Sequence, residues 1–417
     1  MDHNAHGFPF PPIFEWRKLV HVCQRWRHIV FASPIRLGLQ LLCTYGTPVR
    51  KNLGHWPPFP LVIDYCTYWG ADGGKSLALS DEDDVIAALE HPGRVRYVRI
   101  SVTGSMLGRM AAAVQEPFPM LTHLWLSSED ENVPALPGEF LGGSAPSLQV
   151  AHLAGIPFPP MLLSSALGLV DLRLLDIPHD GYISPEAMVA GLAALTGLRT
   201  LFIGFNSPTP LSRSRRSDPI TRMGLPSLTT FNFRGVSEYL EDLVALIDTP
   251  LLKNFTIMYF NQLAFQIPRL SQFISRTESL DLSRSKHARV GFGGRNVYVR
   301  LGCDQAEQLE GYFTLQISCQ RLEWQVSHMA QVLGQCFANA TLSSVDDLSI
   351  DARDLQPGWE EDADSTEWPG LLRPFTAVET LHVSKKLGGH VTEEMAAEIL
   401  TVLQSLCFED EPTGVDP

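Results

Sequence analysis

From Val95 onwards one spacing keeps returning, with apolar residues at the first, fourth and sixth places of a six-residue window. The windows are VRYVRI (95–100), LTHLWL (121–126), LQVAHL (148–153), LVDLRL (169–174), LRTLFI (198–203), LTTFNF (228–233), LKNFTI (252–257), TESLDL (277–282), YFTLQI (312–317), VDDLSI (345–350) and VETLHV (378–383). Places four and six fall on one side of an extended backbone and places three and five on the other, so each window predicts a short strand with one buried face. Successive windows begin 21 to 35 residues apart. Amphipathic stretches at 185–195, 236–248, 326–338 and 392–406 predict helices between several of them. A strand and a helix cannot bury their apolar faces alone, whereas stacked copies share one core.

Upstream, Leu19, Val22, Cys23, Trp26, Ile29 and Val30 recur at helical spacing and predict a helix over 14–33 with an apolar stripe. Arg17, Lys18, His21, Arg25 and His28 take the rest of the wheel, and Ala32-Ser33-Pro34 ends the helix because a residue before proline leaves the α region. Leu37, Leu39 and Leu41 alternate as in a strand. Trp56-Pro57-Pro58-Phe59-Pro60 reads as a rigid turn before a second strand at 61–63. Ser80 followed by Asp83 reads as a helix cap, with Val85, Ile86 and Leu89 on the buried side. The expected organisation is a disordered 1–13, a helical segment 14–34, a linker and capping region 35–94, repeats over 95–406 and a disordered acidic tail 407–417.

The net charge of −14 argues against general nucleic-acid binding, which needs a cationic surface to displace counterions. Residues 16–51 depart from that balance, with seven Lys/Arg and no acid, and suit an acidic partner surface or a solvated helix back. Seven cysteines, odd in number and without a CxxC pair, read as reduced thiols of a cytoplasmic or nuclear protein. No apolar run approaches a membrane span.

Catalytic patterns are lacking. Gly70 precedes Gly74-Lys75-Ser76 by one residue too few for a phosphate-cradling loop. Gly142-Gly143-Ser144-Ala145-Pro146 lacks the closing glycine of a nucleophile elbow. Gly291-Phe292-Gly293-Gly294 has the wrong spacing for a dinucleotide site. No metal-ligand spacing occurs, so neither an enzyme, a cofactor nor a metal is expected. Two insertions break the repeat, a basic one at 207–219 and an acidic one at 354–369 with two tryptophans.

The repeats offer a surface instead. Places three and five point away from the core, and their less ordinary occupants are Tyr97, Arg99, His123, Trp125, His152, Arg173 and Phe202. Aromatic residues with arginine nearby are the usual anchors of protein interfaces, so these seven form the candidate protein-substrate surface.

The windows resemble the leucine-rich-repeat strand signature L-x-x-L-x-L. The run VHVCQRWRHIVFASP, with LQLLCTYGTPVRKNLGHWPPFPLVID after it, is similar to the F-box proteins of mushroom-forming (basidiomycete) fungi. There a VCRxWR-type helix, a C-T-Y-G-T-P-V segment and a W-P-x-x-P turn precede leucine-rich repeats. The resemblance implies an α/β fold: a short helical F-box remnant, then an irregular repeat solenoid with parallel strands on the concave face and helices on the convex one. It also implies a substrate-recruiting subunit of a cullin-RING (SCF-type) ubiquitin ligase. Leu19, Val22, Cys23, Trp26 and Ile29 would meet a Skp-type adaptor, and through it a cullin, while the repeats bind a protein substrate. Of the family's opening F-box helix only Ile13-Phe14 stands before Trp16, which makes this F-box N-terminally truncated. The expected partners are therefore proteins, with no nucleic acid or membrane, and the chain is expected to be a monomer. A repeat scaffold with a degenerate F-box and no ligase link is the other reading, and adaptor binding by 14–33 separates the two.

Overall fold

The computed structural model describes residues 18, 20–32, 39–45, 49–55, 57–65, 79–128, 130, 133–157, 165–208, 222–280, 282, 285–302, 311–337, 341–352 and 367–409. The chain divides into two compact units, Met1–Leu169 and Val170–Pro417, a division that falls within the stretch expected to be repeats.

In the first unit the described elements are α1 (Gln24–Ala32), β1 (Leu41–Cys43), α2 (Val49–His55), β2 (Leu61–Tyr65), α3 (Leu79–Leu89), β3 (Val95–Ser101), α4 (Gly104–Ala113), β4 (His123–Ser127) and β5 (Val150–Ala154). The five strands pair in sequence order, all parallel. The stretch 35–94, expected to be a linker and capping region with two short strands, contributes β1 and β2 to the same sheet. Leu41, Leu61, Val95, Leu124 and Leu153 point to one buried side. The cap of α3 falls differently from expectation: the helix begins at Leu79, so Ser80 lies inside it. Arg109 on α4 meets both Glu82 and Asp83, each at 2.5 Å.

The second unit runs β6 (Asp171–Ile177), α5 (Pro185–Leu192), β7 (Thr200–Phe205), β8 (Met223–Gly224), β9 (Thr230–Gly235), α6 (Ser237–Leu246), β10 (Ile247–Asp248) and β11 (Asn254–Tyr259). It continues with α7 (Pro268–Arg276), β12 (His287–Phe292), β13 (Asn296–Gly302), β14 (Tyr312–Ser318), α8 (Leu322–Cys336), β15 (Asp347–Ala352), α9 (Trp368–Leu372), β16 (Thr380–Ser384), α10 (Glu393–Ile399) and β17 (Ser405–Glu409). The main sheet has the order β6-β7-β9-β11-β14-β13-β12-β15-β16-β17, with β8 and β10 paired separately. It is parallel except for β13, which runs against both neighbours.

One backbone device sets the register. The carbonyl at place two of a window accepts two successive N–H groups from the next strand, as Arg199 does from Thr229 and Thr230, and Asp346 from Glu379 and Thr380. Side chains at places four and six then stack into layers. In one of them Phe231 lies on Phe255 with ring centroids 5.2 Å apart, and Phe255 meets Phe273 and Phe313. Each such burial is worth about 2 kcal/mol. Helix α7 starts without a local cap, because Ile267 stands in the capping place. The Glu241 carboxylate of α6 takes over, accepting the N–H groups of Arg269 at 2.9 Å and Leu270 at 2.7 Å.

Several expectations need correction. The window 277–282 is not a strand: it turns back on itself, with Leu280 N–H on the Thr277 carbonyl and Leu282 N–H on that of Leu280. The repeat position belongs to β12, whose preceding carbonyl, Lys286, accepts from Asp346 and Asp347. The frame of the 312–317 window slips by two residues, since Phe313 and not Leu315 lies beside Phe255. A slip of two keeps each side chain on its face. The segment 392–406 is helical only over Glu393–Ile399. Residues 405–409 form β17, so the expected tail is paired as far as Glu409. The glycine-rich loop 66–78, most of both insertions (209–221 and 353–366), the stretch 1–17 and residues 410–417 lie outside the described residues. From the second insertion Trp368 is buried in α9.

Candidate functional site

The face at places three and five is the site expected of such strands, and in the first unit it forms a ladder. Parallel register sets Asp64, Arg99, Trp125 and His152 side by side on β2, β3, β4 and β5. Arg99 Nε donates to Asp64 Oδ1 at 3.1 Å, and its guanidinium lies 5.7 Å from the centre of the Trp125 ring. Trp125 in turn stacks on His152, with centroids 4.1 Å apart and planes 17° from parallel. In the neighbouring row Tyr97 meets His123 at 5.5 Å. Burial, helped by Arg96, holds the His123 imidazole below its ordinary range, so it is neutral at pH 7.

The ladder differs from the expected surface. Tyr97 is only 4% exposed, and Arg99 and His152 are each 7% exposed. A buried guanidinium is tolerable because Asp64 neutralises it and Trp125 covers it. These three side chains hold the face together more than they present it, and His123 and Trp125 are its half-exposed members.

Arg173 and Phe202 belong to the second unit. Arg173 is held by Asp171, two residues back on its own strand, through contacts of 3.1 and 3.0 Å. Phe202 lies across Gly204, where a Cβ would come within 2.9 Å of its ring. The same face carries charges that the sequence did not bring together. His287 approaches Asp347 at 3.5 Å, and His382 sits 4.0 Å from Asp347 and 2.7 Å from Glu409. Arg289 pairs with Asp351, and Arg300 stands directly opposite Arg289. Asp347 and His382 were readable as outward places of their windows. His287, Arg289 and Arg300 were not, because their strands fall in no window.

The expected adaptor-binding helix 14–33 is interrupted among the described residues, with Lys18 and Val20 helical before the break. Residues 21–23 form a turn and α1 begins at Gln24. Leu19 lies outside the described residues. Val20 and Val30 are buried, Phe31 packs on Phe59 with centroids 5.6 Å apart, and Arg27 Nε donates to the Val20 carbonyl. That docking leaves Val22 at 63%, Trp26 at 48% and Ile29 at 53% exposed, with Cys23 exposed as well. Among the described residues no group of three or more His, Cys, Asp or Glu side chains has metal-binding geometry, and no helix is long and apolar enough to cross a membrane.

No family model and no curated protein matches the chain. Among solved structures it is similar to LegL7, a leucine-rich repeat-containing protein from Legionella pneumophila, at 14% identity and a TM-score of 0.29, over 72% of this chain and 87% of that one. The chain itself is a mixed α/β protein of repeated, mostly parallel strands with helices between them, compatible with a leucine-rich-repeat-like arrangement.

Proposed function

We propose that this chain is a protein-binding repeat module that acts as the substrate-recruiting F-box subunit of a cullin-RING ubiquitin ligase. In this reading α1 docks on a Skp-type adaptor, the strand faces take a protein substrate, and the chain catalyses nothing itself. One observation carries it. Helix α1 and the segment just before it are already packed through Val20, Val30 and Phe31, yet they still offer Val22, Trp26 and Ile29 to water. About half of each of these side chains is unburied, so covering all three is worth about 3 kcal/mol. The exposed Arg25, Arg27 and His28 beside them suit an acidic rim on the partner.

The test is co-expression with a Skp-type adaptor and size-exclusion chromatography of the wild type and Trp26→Ala. Co-elution of the wild type, lost in the variant, supports the reading. A wild type that elutes alone removes the ligase link and leaves a protein-binding scaffold.

A further inference from the structure

We propose that the β12–β13 hairpin carries a phosphate-recognition site, centred on Arg300 with Arg289 beside it, that takes a phosphoserine or phosphothreonine of a protein partner. This rests on the reading of the strand face as a protein-binding surface and names the chemistry of what that face takes.

Arg300 and Arg289 are directly opposed across the antiparallel β12–β13 pair, which puts both side chains on the same face. Like charges at directly opposed positions disfavour a sheet. Only one of the two is compensated: Asp351 reaches Arg289 from β15. Arg300 is exposed and makes no ion pair or side-chain hydrogen bond with the described residues. Its guanidinium is an open fork on an otherwise neutral stretch of the face.

The neighbours complete the chemistry. Across β14 Arg300 faces Thr314, which is in register with Thr256 on β11, itself beside Asn232 on β9. On the other side Arg289 faces Ser349 on β15. The row Asn232, Thr256, Thr314, Arg300, Arg289, Ser349 thus has a hydrogen-bond donor at every place and no carboxylate. The acids of the flanking rows are engaged, Asp351 with Arg289 and Asp347 with His287.

A carboxylate has two oxygens and is satisfied by one guanidinium fork. A phosphate monoester carries nearly two charges and three terminal oxygens, enough for both arginines and a flanking hydroxyl. The chain's net charge of −14 opposes long polyanions but not a single dianionic group at a local cationic point.

The experiment measures binding of the full chain to degenerate peptide libraries with a central phosphoserine or phosphothreonine. The same libraries with serine or glutamate at the centre serve as references, and the selected peptides are followed by fluorescence anisotropy. The phosphorylated peptides should bind about tenfold or more tightly than their serine and glutamate versions. That preference should vanish in Arg300→Ala and Arg300→Glu, both at an exposed site that leaves folding intact. It should persist in Arg295→Ala, an exposed arginine in the turn of the same hairpin. Equal binding of phosphorylated and serine peptides, unchanged binding by Arg300→Glu, or binding of neither library overturns the proposal. Co-elution with the adaptor is read separately, so loss of the phosphate site and loss of the receptor reading are told apart.

Discussion

The junction between α6 and α7 makes a stability prediction whose sign is unusual for a carboxylate. Glu241 is buried and caps α7 from the neighbouring helix, accepting two backbone N–H groups. Burial pushes its carboxyl from the ordinary 4.5 up to about 7, against the two N–H groups and Arg269, which pull it down. Between those values the folded chain holds a proton that the unfolded chain has released. Stability from this group is therefore full below pH 4.5 and falls as pH rises to about 7. The loss comes to about 3 kcal/mol, at ~1.4 kcal/mol per pH unit. Glu241→Gln reproduces the protonated carboxyl that the folded chain holds at pH 5, one acceptor beside one donor, and so costs no more than about 1 kcal/mol there. Being neutral, the variant has no such slope, so its deficit should shrink or reverse by pH 8. Urea denaturation of both proteins at pH 5, 6, 7 and 8, followed by far-UV circular dichroism, measures this. Parallel profiles would refute the reasoning. A wild type that gains on the variant as pH rises would show that the helix N–H groups, not burial, dominate the carboxyl.

Four further outcomes follow from the geometry. Trp26→Ala should change unfolding free energy by no more than about 1.5 kcal/mol, because about half of the ring is already in water, while abolishing adaptor co-elution. Asp64→Ala should cost about 2 kcal/mol in chemical denaturation by stranding the buried Arg99 cation, and Asp64→Ala with Arg99→Met should recover most of it; a single variant within 0.5 kcal/mol of wild type would mean the pair does not hold the ladder. Gly155→Ala, at φ +68° with its Cβ 2.1 Å from the Ser128 carbonyl oxygen, should lose at least about 2 kcal/mol of thermal stability. Gly143→Ala, at φ +64° with open space around it, should lose only about 1 kcal/mol.

Much of the fold could be read because the windows obey a period. Wherever places four and six are both apolar and place one is Leu or Val, the strand forms, and at windows such as 121–126 and 228–233 its outward places are the half-exposed ones. The candidate surface was legible only as positions. That Tyr97, Arg99 and His152 would be buried depends on what their cross-strand neighbours are, which no single window contains. The cap of α7 was illegible for the same reason. Ile267 is a poor cap in any local rule, and its substitute stands on the preceding helix at Glu241.

The misread window shows why spacing alone is insufficient. Thr277, Leu280 and Leu282 are buried as the pattern demands, but buried residues at i, i+3 and i+5 also fit a chain leaving a helix through consecutive turns. Thr277 finishes α7, its hydroxyl and N–H both returning to the Phe273 carbonyl. The strands that fill the sheet instead carry plain alternation, Val297, Val299 and Leu301 inward against Tyr298 and Arg300 outward. Gly291 accepts the Tyr298 ring across the hairpin, where any Cβ would come within 2.3 Å of it. Alternation of period two was present in the residues and says which face each side chain takes. It cannot say that β14 inserts beside β11, which forces β13 to run backwards and sets Arg300 against Arg289. A parallel repeat also sets row neighbours one strand spacing apart, as Arg99 and Trp125 are, but draws them from separate units of the chain. The reversed hairpin supplies both arginines from within a single unit, across one short turn, and this is why the phosphate site, if Arg300→Glu removes it, belongs to the irregularity of the repeat and not to its period.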